Sequence, residues 1–89
     1  MKNNWNALDL IGSLKDGGFN VTMFQDGEVH RVKFCVAILF EDLHDVFMLG
    51  HHFANENVRV MVRFYNNVAY FPDFHVDSAV YDRIINDTN

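Results

Sequence analysis

Eighty-nine residues suffice for one domain, 1–89, and not for two; a chain of this size buries roughly 60–65% of its unfolded surface. An apolar content of 49%, with 15% aromatic residues and nine phenylalanines, excludes a disordered chain. Twelve acidic against seven basic residues give a net charge of −5, which opposes nucleic acid and anionic membranes in bulk; the one cysteine, Cys35, excludes an intramolecular disulfide and a cysteine-based zinc site.

The first residues lead into an amphipathic stretch with no continuous apolar segment, so no signal peptide is expected. The longest apolar run, 34–40, is far too short to span a bilayer. A cytoplasmic protein is the expectation. The spacing of Ala7, Leu10, Ile11 and Leu14 predicts a helix over 5–16, capped by Asn3 or Asn4 and stopped by Gly17-Gly18.

Polarity then alternates over 19–25, and Asp26-Gly27 signals a two-residue hairpin turn with a second strand from Glu28. That turn pairs Gln25 with Glu28, Met23 with His30, Val21 with Val32 and Phe19 with Phe34 on a mainly apolar face. The opposite face pairs Phe24 with Val29, Thr22 with Arg31 and Asn20 with Lys33. The run 34–40 loses the alternation, which predicts burial on both sides.

Leu43, Val46, Phe47, Gly50, Phe53 and Ala54 form a helical stripe, predicting a helix over 41–55, with Gly50 costing up to ~1 kcal/mol inside it. The competing reading makes 46–49 a short buried strand. Alternation resumes over 57–65, Asn66-Asn67 suits a left-handed turn, and 68–71 returns. Val58, Val60, Val62 and Phe64 then share a face with Ala69 and Phe71, while Arg59, Met61, Arg63 and Tyr65 share the other with Val68 and Tyr70. Pro72 is expected to end this strand or place it at an edge. A last helix starts near Asp77, buries Val80, Tyr81, Ile84 and Ile85, and frays over 86–89. The order α-ββ-α-ββ-α predicts an α+β fold: a four-stranded antiparallel sheet from two hairpins, with three helices mainly on one face.

If the helices cover the valine face, the other face carries Arg31, Lys33, Arg59 and Arg63, four of the seven basic residues, interleaved with Phe24, Met61, Tyr65 and Tyr70. Arginine, tyrosine and methionine are enriched at protein interfaces. The same residues on a sheet can stack and neutralise single-stranded nucleic acid, although the glycine-spaced aromatic motif of RNA-binding strands is absent. Half-exposed strands also mix such residues for packing alone. Five histidines, His30, His44, His51, His52 and His75, raise a metal site, but His44 and His51 are seven residues and about 10 Å apart on a helix, and neighbouring His51 and His52 diverge by about 100°.

Catalytic signals are thin. Cys35 lies in an apolar run, as a buried small residue does. Ser13 and Ser78 sit in or beside helices, no glycine-rich phosphate loop is present, and Glu41/Asp45 at i, i+4 suit a helix N-terminus. The expectation is a non-enzymatic interaction protein without cofactor or metal, which binds an acidic protein surface or a second copy of itself through Arg59, Arg63, Tyr65 and Tyr70, with Arg31, Lys33, Phe24 and Met61 beside them. Small inhibitors and adaptors fit such a surface, phage-type inhibitors of host or defence proteins among them. Single-stranded nucleic acid on the same face is the alternative, and a histidine-based metal site the third.

Overall fold

The computed structural model describes residues 5–28 and 30–87. Helix α1 (Ala7–Asp16) leads into β1 (Asn20–Glu28) and β2 (Arg31–Leu39). Helix α2 (Leu43–Glu56) precedes β3 (Arg63–Tyr65) and β4 (Val68–Asp77), and α3 (Ser78–Asp87) closes the chain. The four strands form one antiparallel sheet in the order β1-β2-β4-β3. The α+β architecture is the one the sequence predicts.

Local chemistry sets each helix boundary. Asn6 caps α1: its side chain accepts from the Asp9 N–H at 2.9 Å while the Asp9 carboxylate accepts from the Asn6 N–H at 3.0 Å. This reciprocal box starts the helix at Ala7 instead of Trp5 and takes the role expected of Asn3 or Asn4, which lie outside the described residues. Gly18 leaves the helix at φ +84°, a conformation that costs an L side chain energy. Asp42 caps α2 through the His44 N–H at 2.9 Å, and Asn57 ends it in the left-handed conformation at φ 57°. The helix runs unbroken through 46–49, which excludes the strand reading of that segment. Asp77 caps α3 through the Val80 N–H at 2.9 Å, and the helix stays regular to Asp87, beyond the expected fraying point.

The first hairpin does not turn at Asp26-Gly27. Strand β1 runs through both residues, and pairing places Val21 opposite Ile38, Met23 opposite Val36 and Gln25 opposite Phe34. His30 lies in the turn instead; Val29, expected opposite Phe24, lies outside the described residues. The tight turn would have left Val36 and Ile38 beyond the end of β1. The adopted register sets them against Met23 and Val21, and both are buried to within 1% of completely. Burial of two β-branched side chains outweighs a local turn preference. The slip is even-numbered, so every side chain keeps its expected face.

The second hairpin does turn at Asn66-Asn67, with Tyr65 opposite Val68 and Arg63 opposite Tyr70. Only Asn66 of the pair has positive φ, 53°, so the turn is not of the doubly left-handed kind. Strand β3 has three residues where 57–65 was expected, and β4 continues through Pro72 to Asp77 where it was expected to stop. One cause accounts for both differences. Cys35 pairs with His75 and Ala37 with Tyr70, so four β4 residues, 71–74, bulge opposite Val36 alone. Pro72 has no N–H to give and sits inside that bulge, where none is needed. The ladder to β3 ends at Tyr70, just before the bulge, and 58–62 follows without strand pairing.

Leu10, Ile11 and Leu14 of α1, Leu49 and Phe53 of α2, and Val36, Ile38, Ala69, Phe71, Phe74 and Val76 of the sheet form one buried cluster. Tyr81 of α3 stacks on Phe34 at 3.7 Å between ring centroids, on the same face of β2. All three helices therefore pack on one side. The face that α2 buries is not the expected stripe: Leu49 and Phe53 meet the cluster, whereas Leu43, Phe47, Gly50 and Ala54 are exposed; in α3, Val80, Tyr81 and Ile84 pack against the core and Ile85, expected with them, is exposed. Among the described residues no polar or charged residue is buried, and no helix is long and apolar enough to cross a membrane. Phe71 is fully buried and meets the Phe53 ring edge-to-face at 5.9 Å. Phe71→Ala is expected to cost about 3–5 kcal/mol, a large part of the stability of a small domain. Urea denaturation followed by circular dichroism should show a lowered midpoint with an unchanged m-value.

Candidate functional site

The face opposite the helices carries the residues that alternate with Val36 and Ile38. Cys35 and Ala37 are buried even so, at 1% and 0% exposure. Pairing explains their cover. Phe24 lies opposite Cys35 on one side, and Tyr70 lies opposite Ala37 on the other. The two rings meet diagonally over β2, edge-to-face, with centroids 5.8 Å apart. Cysteine and alanine are small enough to let them lie down on the sheet. Beside this pair a groove opens, lined by Phe24, Asp26, Cys35, Phe64, Tyr65, Val68, Tyr70 and Pro72. Tyr65 stands 71% exposed on its rim.

Charge is distributed differently from the expectation. By register, Arg31, Lys33 and Arg63 all belong to this face, but Arg63 pairs with the Tyr70–Ala37 row while Arg31 lies six residues from Ala37 along β2, about 20 Å away. Lys33 has Asp26 opposite it on β1 and Asp77 opposite it on β4. Arg31 pairs with Glu28. Arg59 and Met61 keep the exposed phase expected of them, with Val58, Val60 and Val62 packed against the core, but 58–62 makes no strand pairing that would hold them on the sheet. They line a neighbouring groove with Trp5, Asn6, Ala7, Val60, Asp73, Phe74 and His75. The structure thus gathers Phe24, Tyr65, Tyr70 and Arg63, sets Arg31 and Lys33 at the far end, and places Arg59 and Met61 in the adjoining groove.

At the acidic end of the groove, the Asp26 carboxylate meets His75 Nε2 at 3.0 Å and accepts the Gly27 N–H at 2.9 Å. The His75 hydrogen bond, then the Gly27 N–H, then the charges of His75 and Lys33 hold the Asp26 carboxyl below its ordinary value. Sequence reasoning could not find this pair, since its members are 49 residues apart and the adopted hairpin register creates it. A depressed carboxyl contributes stability above its unfolded value and loses it as pH falls through the folded one. Asp26→Asn should lower the Tm at neutral pH, and the difference from wild type should vanish in acid, where both side chains are uncharged.

Neither candidate nucleophile has an activating partner in the hydrogen bonds it makes. Cys35 Sγ approaches the Phe71 carbonyl at 3.4 Å and the Val36 carbonyl at 3.6 Å, as a donor. Burial pushes its thiol up, against thiolate formation. Intact protein should resist iodoacetamide at neutral pH, and urea-unfolded protein should alkylate fully at Cys35, read by mass spectrometry. Ser13 of α1 is 2.8 Å from His52 Nε2 and donates to Glu56 Oε1 at 3.1 Å. With its one proton on the carboxylate, the hydroxyl oxygen accepts from the ring nitrogen. The trio joins α1 to α2. Glu41 N–H donates to the Asp45 carboxylate at 3.0 Å, an N-terminal cap. His44 and His51 are exposed, and among the described residues no group of three or more metal-ligating side chains converges.

No protein-family model, curated protein or solved structure matches this chain. The functional reading therefore rests on the site alone.

Proposed function

We propose that this chain is a small non-enzymatic interaction protein, of the inhibitor or adaptor type, that binds another protein through the aromatic groove of the sheet face opposite its helices. The observation that carries this reading is the groove itself: Phe24, Tyr65 and Tyr70 are brought together beside a floor of small residues, on a surface that the helices leave uncovered, and Phe64 reaches its margin from the other side of the edge strand. Tyrosine and phenylalanine in such a setting supply large contact area at low entropic cost. The partner inserts apolar side chains between Phe24 and Tyr65, and Arg63 at the same end meets a carboxylate on its rim. Arg31 and Lys33, separated from the groove and set among Asp26, Glu28 and Asp77, contribute less.

The same dispersal of charge weighs against single-stranded nucleic acid, which needs cations along the strand as well as stacking surfaces. Capture from a lysate of the source organism, read by mass spectrometry, should recover a partner with wild type and lose it with Tyr65→Asp or Arg63→Glu, both exposed and expected to shift stability by less than about 0.5 kcal/mol. Arg59→Glu, in the neighbouring groove, should retain the partner. Equal recovery by all variants would sink the assignment of this face. Steeply salt-dependent binding of a short single-stranded oligonucleotide would replace the protein partner with nucleic acid.

A further inference from the structure

Helix α2 presents a second surface that the groove reading does not use. Its core stripe is narrow: only Leu49 and Phe53 are buried. On the other side, Leu43 and Phe47 are each 80% exposed, the highest exposure among the large apolar residues described. A shallow depression lined by Leu43, Val46, Phe47, Gly50 and His51 runs along this side. Leu43, Phe47, Gly50 and Ala54 are spaced four, three and four residues apart, the spacing of a seam between paired helices.

The seam is complementary to itself. A twofold axis between residues 48 and 49 lays a second α2 antiparallel on the first and sets Phe47 against Gly50 of the other copy and Leu43 against its Ala54. Every layer then pairs a large side chain with a small one, and the recess needed by each ring lies one turn from the ring that fills the other. Gly50 has no use for its missing side chain within the chain: an added Cβ would meet nothing within 4 Å, and φ is helical. A helix-interior glycine destabilises its helix relative to alanine, and at this position on the seam the missing side chain leaves room for the close approach of a second helix. Two copies of this patch remove on the order of 1,000 Å² from water, near the lower limit for a specific interface, which fits a weak, concentration-dependent dimer.

We propose that α2 is a self-association surface, and that two copies of this chain pair antiparallel through Leu43, Phe47, Gly50 and Ala54. Sedimentation velocity from micromolar to millimolar concentration should show reversible dimerisation. Phe47→Asp should abolish it while the far-ultraviolet circular dichroism stays that of wild type. Gly50→Ala is the sharper probe. It should raise the Tm, because alanine favours helix, and yet raise the dimer dissociation constant about tenfold, because the methyl group occupies the recess that the partner's ring needs. Gly12→Ala, at a helical position in α1 equally open to an added Cβ, should raise the Tm and leave association unchanged. A wild type that remains monomeric at millimolar concentration would overturn the proposal, as would a dimer indifferent to Phe47→Asp or to Gly50→Ala. A monomer whose α2 seam binds an unrelated amphipathic peptide would also overturn it, in favour of a foreign helix.

Discussion

The fold depends on where β1 sits along β2. Val36 and Ile38 occupy the centre of the cluster that α1, α2 and α3 cover, and they are buried only because Met23 and Val21 extend beside them. Every later feature inherits that register. It brings Asp26 within reach of His75, sets Phe24 over Cys35, and leaves the hairpin turn beyond Asp26-Gly27. A dipeptide that favours a tight turn is overridden by two core side chains worth roughly 1.5–3 kcal/mol each. Gly27 still keeps a positive φ of 97° within the strand, and an added Cβ there would lie 2.7 Å from the Arg31 carbonyl.

Much of the architecture was legible because period and parity are robust signals. The existence of the three helices, the buried stripe of α1 and the order of elements follow from apolar spacing alone, whereas spacing placed the core stripe of α2 on the wrong side, at Leu43 and Phe47 in place of Leu49. The division of side chains between the two sheet faces survived an incorrect register, since a slip by an even number changes partners without changing sides. What the sequence could not show depended on tertiary competition. The bulge over 71–74 arises from matching β4 to β2 across two stretches with different pairing sums, and no local pattern announces it. With it went the short β3, the continuation of β4 past Pro72, and the separate groove in which Arg59 and Met61 lie. The Asp26–His75 and Ser13–His52–Glu56 contacts join distant segments; only the i, i+4 spacing of His52 and Glu56 is visible beforehand.

The groove shows how small residues shape a surface. Cys35 and Ala37 contribute nothing that a partner could grip, but their size lets Phe24 and Tyr70 close over them and present ring faces and edges together. A larger residue at either position would lift the pair off the sheet. The aromatic character of this face is therefore set as much by what lies under the rings as by the rings themselves, whereas the even spread of acid and base around Lys33 keeps the far end of the face nearly neutral.

Helix α2 is fastened unevenly. Its second half holds Leu49, His52, Phe53 and Glu56, the residues that reach the core or Ser13; its first half holds Leu43, Phe47 and Met48, all facing outward. Those first turns are held chiefly by the Asp42 and Asp45 caps, each worth about 1 kcal/mol, and short helical segments without packing are marginal in water. The helix is in mechanical terms a cantilever, clamped at its C-terminal end, with Leu49 and Phe53 at the root of the arm.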